Sequence, residues 1–470
     1  MLDAVLPTLP MPLPMSLKQR VIRAGVWVMG GHIGAQLLRL GGNLIMTRIL
    51  VPEMFGVMAI AYVFMTGLAM FSDIGIVQNI VQSRRGDDPV FLRTAWTVQI
   101  LRGALICAVA LAIAVSLHFA ADAGLLAVGT VYADPALPPV LSVVSLLALI
   151  AGFESNRLAL LRRNLDLSRV IRIDVGSQAI SLTVMILWAV VDRSIWALVA
   201  GSLASALTRT LLSHVALPGT ADRWGWDRAA FSEIFGFGKW VFLSSLLGFL
   251  VINGDRLLLG GLVDAKALGI YSVAATLVGA LEAVLTKLVG DVGLPALSEV
   301  ARARPERLRA VFYRFHFLIG VTALFIVGML LTCGPIIVRI LYDDRYQAAG
   351  WMLGVVGVGL ATMPTRVATQ CFLARGESRV ISILTIVRLP ALYLLTPLAF
   401  YFFGLAGALW SIALSSLTWV PIMWFYQSRA GLLDFKREAA VWPALLLGLL
   451  AGQGAIWLDG RLFGTAPLGF

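Results

Sequence analysis

Runs of about 20 apolar residues recur from one end of this chain to the other. A run of that length has one ready solution, a helix that crosses the hydrocarbon core of a bilayer. Thirteen can be marked, at 24–46, 54–80, 96–118, 137–155, 175–191, 195–216, 238–262, 268–292, 314–333, 350–373, 381–402, 405–426 and 441–458. Hydrophobic residues are 59% of the chain and charged residues 13%, far from soluble usage, and the runs lack the two-residue alternation of a membrane strand. The expectation is an all-α polytopic membrane protein with about 12–13 transmembrane helices. The three cysteines (Cys107, Cys333 and Cys371) each fall inside an apolar run, which gives no disulfide framework.

The segments between the runs alternate in charge. One set is basic, from Lys18/Arg20/Arg23 and Arg84/Arg85/Arg93 through Arg157–Arg172 and Arg302–Arg314 to Arg429/Lys436/Arg437. The other set is short and holds Arg48, Arg193, Lys266, Arg339, Arg345 and Arg461. The two sides carry 23 and 6 basic residues, and basic loops stay in the cytoplasm. The N-terminus is therefore read as cytoplasmic, and the pI of about 10.0 follows without a nucleic-acid partner. Met1 to Pro14 has four prolines and no basic n-region, so it makes a poor signal peptide. An odd number of spans puts the C-terminus outside.

The chain also repeats itself. Shifted by 213 residues, Trp27-Val28 falls on Trp240-Val241, Gly41 on Gly254, Gly56 on Gly269 and Ala61 on Ala274, without a gap. Six spans separate the copies, so both run in the same direction, which describes two parallel-repeat six-helix lobes with a site at their interface. The implied domains are an N-terminal tail (1–22), a first lobe (23–217), a linker (218–233), a second lobe (234–428) and an extra helix with its tail (429–470).

Charges inside the spans mark where that site lies, because a polar side chain in hydrocarbon must face protein, water or a partner. His32, Gln36, Arg39, Asn43 and Thr47 share one face of the first span by their spacing of three or four residues. An Arg facing lipid mid-span costs about 2.5–3.5 kcal/mol on insertion scales, so the stripe lines a cavity or a hydrogen-bonded helix contact. Asn43 falls on Arg256 in the repeat, which aims Arg256 at the same interface unless it snorkels to the surface. Asp255 sits about 100° round the helix from it and either couples transport or packs within its lobe. Lys287 and Asp291, at i and i+4, can neutralise each other. Arg102, Arg209, Arg366 and Arg388 lie in the inner third of their spans, either snorkelling or forming a basic inward mouth suited to an anion. Asp73, Asp255 and Glu282 are the candidate coupling carboxylates.

No P-loop, H-E-x-x-H, C-x-x-C or G-x-S-x-G is present, which weighs against an enzyme; no catalytic residue, metal or cofactor is expected. The run LVPEMFGVMAIAYVFMTGLAMFSDIGIVQNIVQ (Leu50 to Gln82) resembles the second-helix region of the Wzx-type polysaccharide transporters, and NGDRLLLGGLVDAKALGIYSVA (Asn253 to Ala274) with GLPALSEV (Gly293 to Val300) resembles their seventh and eighth helices. They share a superfamily with multidrug exporters and the murein lipid flippase.

The resemblance implies alternating access, with a cationic cavity carrying a polyprenyl-pyrophosphate-linked oligosaccharide across the bacterial inner membrane for exopolysaccharide, capsule or O-antigen synthesis. His32, Gln36, Arg39, Asn43, Arg102, Arg256, Arg366 and Arg388 are the expected cavity residues. Membrane lipid and other polysaccharide-assembly proteins are the remaining expected partners. A multidrug exporter on the same scaffold and a membrane glycan polymerase or ligase are the alternatives. A single extra span, where the murein lipid flippase has two, counts against a peptidoglycan precursor as cargo.

Overall fold

The structure, a computed structural model, describes residues 17–219, 221–377 and 379–463. Among them there is helix and connecting turn and no strand. The first half comprises α1 (Leu17–Ile49), α2 (Pro52–Phe71), α3 (Ile76–Gln82), α4 (Pro89–Asp122), α5 (Leu137–Val144), α6 (Leu146–Gly152), α7 (Arg157–Arg163), α8 (Leu167–Val191) and α9 (Trp196–Val215). The second comprises α10 (Arg228–Gly260), α11 (Ala265–Leu288), α12 (Leu294–Ala303), α13 (Leu308–Leu341), α14 (Ala349–Gly357), α15 (Met363–Ala374), α16 (Arg379–Leu417) and α17 (Trp419–Arg429). The short α18 (Phe435–Ala439) and α19 (Pro443–Phe463) follow. Sequence-local signals start many of these helices. Asp88, Asp227 and Asp264 cap α4, α10 and α11 by accepting from Val90 N, Ala230 N and Ala267 N at 2.9, 2.8 and 2.7 Å, satisfying donors that a helix start leaves open.

Several expected single spans are broken. The run 54–80 stops at Phe71, turns through Gly75 (φ 66°) and resumes as α3. The segment Leu137–Gly152 meets Arg157–Arg163 at 61°. A five-residue π-turn (Val289–Gly293) separates α11 from α12; it begins after Lys287 and contains Asp291, and the two make no ion pair among the described residues. The long α16 contains Gly404 at φ 61° and ψ −151° and doubles back there. Thr396 meets Ser411 at 3.3 Å and Trp419 Nε1 donates to Leu384 O at 3.0 Å, the contacts of an antiparallel hairpin. Among the described residues eight helices are long and apolar enough to cross a membrane, nine if the bent pair is one span, against the thirteen expected. Part of the difference is that Arg379–Arg429 counts once although it folds as two arms.

Boundaries move as well. Residues 1–16 of the expected tail lie outside the described residues, and 17–22 already belong to α1. The expected linker 218–233 overlaps α10, whose Ala230, Phe231 and Ile234 pack with Ile76, Phe91 and Ala159 of the first half. The remaining linker is pinned to the first half, with Trp224 edge-on to Trp96 and Gly225 N donating to Thr97 at 3.1 Å. The last helix is not isolated. It lies along α13 at glycine contacts, Gly328 against Leu445 O and Gly448 against Phe325 O, the close backbone approach expected of small residues between membrane helices. An Asp459–Arg339 ion pair closes that contact.

The repeat is visible in the packing of α2 on α11. Gly56 lies against the carbonyl of Ala265, and Gly269 lies against the carbonyl of Pro52. These are one contact written twice, since 265 − 52 = 213 and 269 − 56 = 213. A side chain at either glycine would strike backbone, so the sequence match at these positions is a packing requirement and not coincidence.

Candidate substrate cavities between and within the two halves

At the charge-poor end the halves are tied by two clasps. In one, Tyr342 Oη donates to Asn43 Oδ1 (2.9 Å), Arg345 Nη2 to the carbonyls of Thr47 and Arg48 (3.0 and 3.1 Å), and Tyr346 Oη to Leu50 O (3.2 Å). In the other, Val131 N donates to Val263 O (3.1 Å) and Tyr132 Oη to Leu257 O (2.7 Å). The acceptors Leu50 and Val263 are again 213 apart (263 − 50 = 213). Each half thus reaches over the first interhelical turn of the other. None of these donors was anticipated. The one available signal was that Tyr132 falls on Arg345, next to Tyr346, in the repeat register.

Beneath the clasps lies a cavity of about 320 Å³ whose lining includes Asn43, Tyr62, Thr66, Asn253, Arg256 and Thr276. Asn43 and Arg256, equivalent in the repeat, line the same space from opposite halves. Tyr62 is hydrogen-bonded to Ser202 of α9. Arg256 makes no hydrogen bond or ion pair among the described residues.

Arg256 also lines a second cavity, of about 310 Å³, inside the second half, together with Asp255, Tyr271, Glu282, Arg366, Arg388 and Trp419. Tyr271 donates to Asp255. Arg366 pairs with Glu282 and donates to Thr286 Oγ1 at 3.1 Å. Arg388 lies 5.8 Å from the Trp419 ring and has no hydrogen bond or ion pair among the described residues. Asp255 Oδ1, Arg366 Nε and Arg388 Nε are buried atoms without partners among the described residues, which an interior does not normally leave open.

The first half has its own cavity, of about 570 Å³, lined by Asp73, Gln78, Gln99, Arg102, Glu154 and Arg162 among others. Here most of the charges are matched, and Arg162 is the exception, with no side-chain hydrogen bond or ion pair among the described residues. Arg102 donates to Ala69 O and to Ser72 Oγ (3.1 Å) and lies 4.0 Å from Asp73. Arg209 pairs with Glu154 at 2.8 Å and with Asp174. The four inner arginines therefore do not form one mouth. Arg102 and Arg209 serve the first half, and Arg366 and Arg388 face a separate space in the second. Asp73, a candidate coupling carboxylate, has a partner in Arg102. Glu154 and Asp174 went unnoticed because their partner arrives from α9, 55 and 35 residues away.

The polar stripe of α1 divides. Asn43 reaches the clasp and the central cavity, while Thr47 is buried and bonds back to Asn43 O at 2.8 Å. Arg39 is exposed, and His32 and Gln36 are half-buried; none of the three lines the cavities above. They lie nearer the Arg-rich end, with Lys287 and Asp291 of the facing half within electrostatic range of His32.

A family profile described as "Polysaccharide biosynthesis protein" matches residues 45–350, which holds α2, α10, α11 and every clasp residue but Asn43. The chain belongs to this polysaccharide biosynthesis protein family. Among curated relatives, the lipopolysaccharide biosynthesis protein WzxC of Escherichia coli (strain K12) is 23% identical over 316 residues, 65% of this chain and 60% of WzxC. The amylovoran biosynthesis protein AmsL of Erwinia amylovora is 31% identical over 163 residues, 32% of this chain and 41% of AmsL. The chain thus aligns with less than two thirds of the length of either relative.

The fold is that of solved transporters over nearly its full length. The lipid II flippase MurJ in an inward closed conformation superposes with a TM-score of 0.67 at 12% identity, covering 95% of this chain and 94% of MurJ. An inward-facing multidrug resistance MATE family transporter of the MOP superfamily gives 0.64 at 15%, covering 91% and 96%. An outward-facing MATE family transporter gives 0.53 at 17%, covering 94% and 96%.

Proposed function

We propose that this member of the polysaccharide biosynthesis family is a flippase for polyprenyl-pyrophosphate-linked oligosaccharide in the bacterial inner membrane. The observation that carries the reading is Arg256, a cation without a partner among the described residues, in a cavity between two halves that are clasped at one end. A charge held there without a counter-ion favours an anionic ligand, and a guanidinium matches phosphate geometry. The Arg-rich end is the cytoplasmic one by the loop-charge rule, so the clasped end faces outward and the N-terminus lies inside. The pyrophosphate and sugars enter past His32, Gln36 and Arg39 and reach Arg256, while the prenyl chain stays in lipid. Opening both clasps while the Arg-rich end closes delivers the sugar outside.

On this reading 23–217 and 234–428 are six-helix lobes that rock against each other, α10 straddles them, and α19 rides with the second. The chain itself does no bond chemistry, and enzymes of polysaccharide assembly supply its cargo and take its product.

The test is the sidedness of lipid-linked glycan in a deletion strain. Accumulation on the cytoplasmic face, relieved by the wild-type gene and not by Arg256→Gln at equal abundance, is the expected result. Accumulation on the outer face would assign the chain to polymerisation instead. A multidrug exporter is the second reading, favoured by the fold it shares with MATE transporters. It calls for acidic residues to bind organic cations, and tight binding of a lipophilic cation to the purified chain would favour it.

A further inference from the structure

The ion pair Glu282–Arg366 has two unpartnered arginines as cavity neighbours among the described residues, where the pairs of the first-half cavity have one, Arg162. It sits at the wall of a cavity whose remaining arginines, Arg256 and Arg388, are unpartnered among the described residues. Glu282 is 39% exposed and Arg366 27%, so the pair is reachable and its carboxylate has room to swing away. Arg366 has a second anchor in Thr286 Oγ1 at 3.1 Å, which holds the guanidinium in place if Glu282 leaves. Its Nε is buried with no acceptor among the described residues.

Three guanidinium groups thus line one space of about 310 Å³, and one of them is covered by a carboxylate. Asp255 makes no ion pair with Arg366 among the described residues; its Oδ2 accepts from Tyr271, and its charge lies within electrostatic range of Arg388. The set is electrostatically unbalanced, with three cations to two anions.

We propose that Glu282 is a displaceable counter-ion in an anion subsite of the second half, formed by Arg256, Arg388 and Arg366. The inference rests on the flippase reading for the origin of its ligand but on the cavity alone for its chemistry. In the empty state Glu282 holds Arg366. A phosphate or pyrophosphate entering through the space shared at Arg256 brings more charge and more acceptor oxygens than a carboxylate, so it takes Arg366 and turns Glu282 out. The carboxylate is then a competitor of the ligand, and it keeps the site from holding weak anions such as chloride. This assigns Glu282 a role in selectivity, and no cation is needed for it.

A competitor makes an unusual signature, since removing it strengthens binding. The full-length protein, purified and reconstituted in nanodiscs, is titrated calorimetrically with inorganic pyrophosphate and with farnesyl pyrophosphate. Glu282→Gln is expected to bind pyrophosphate on the order of tenfold more tightly than wild type, within the usual range of coupling between linked sites. Arg388→Gln is expected to weaken binding by a similar factor. Glu282→Asp, with a shorter reach to Arg366, tightens binding by a smaller factor and keeps the test open if the Gln variant does not fold.

Tighter binding of farnesyl pyrophosphate than of inorganic pyrophosphate assigns the site to a lipid-borne head, and equal binding assigns it to the free anion; both uphold the subsite. The proposal is overturned if Glu282→Gln or Glu282→Asp binds as wild type or more weakly, or if Arg388→Gln leaves affinity unchanged. None of these results depends on the sidedness assay, so a failed subsite and a failed flippase reading are told apart.

Discussion

The two halves of the molecule share a chain direction and a set of contacts, yet they treat most of their buried arginines in opposite ways. In the first half Arg102 is held by Ala69 O, Ser72 and Asp73, and Arg209 by Glu154 and Asp174. In the second half Arg256 and Arg388 have no counter-ion in contact among the described residues, and Arg366 and its partner Glu282 line an open cavity. A matched charge rigidifies helices; breaking it leaves a lone ion behind. An unmatched charge in the same low-dielectric setting is a standing demand for a ligand. Two homologous scaffolds have thus diverged into a braced half and a receiving half, and residue type alone does not tell them apart.

Four measurements bear on that contrast. The largest expected effect is on Arg256→Gln. Export of polymer in a complemented deletion strain should fall by tenfold or more, the scale of one lost charge-assisted contact at about 1.5–3 kcal/mol, with abundance unchanged by immunoblot. Normal export would place the unmatched cation outside the transport route.

Next in size is Arg209→Gln, which strands both Glu154 and Asp174. Partial exposure moderates the penalty, and a loss of about 1–3 kcal/mol is expected. It should be seen as a lower melting temperature in detergent, with export per folded molecule preserved. If the protein melts as wild type but stops exporting, the first half is not merely braced.

The clasps test the symmetry. Tyr132→Phe and Tyr346→Phe each remove one hydrogen bond across the halves, worth about 0.5–1.5 kcal/mol. Both should raise the rate at which a Thr276→Cys probe in the central cavity reacts with a membrane-impermeant thiol reagent added from outside. The native cysteines are buried and give a low background. Similar increases from both variants support a two-fold gate, whereas an effect from only one would show that one clasp bears the load.

The smallest expected effect is that of Arg102→Gln. About 0.5–1 kcal/mol of stability should be lost through its contacts to the end of α2, and export should fall only in step with abundance. A larger fall in export would return Arg102 to the ligand route and weaken the contrast between halves.

Sequence alone determined the solvent, the class and the repeat. Membrane-length apolar runs admit little besides helices in hydrocarbon, because backbone groups there have no water to bond. The 213-residue register was legible because close backbone crossing fixes glycine at Gly56 and Gly269 in both copies. It also placed Asn43 opposite Arg256, since a shared register in a two-fold pair brings equivalent positions to one interface.

Only the tertiary structure decided which charges have partners. Arg209 finds Glu154 across 55 residues and Arg366 finds Glu282 across 84, separations over which no helical periodicity carries information. The breaks at Gly75 and Gly404, the clasp tyrosines and the docking of α19 on α13 belong to the same class. Each depends on what another helix presents at that depth, and a hydropathy pattern records only that a residue faces something apolar, not which neighbour it meets.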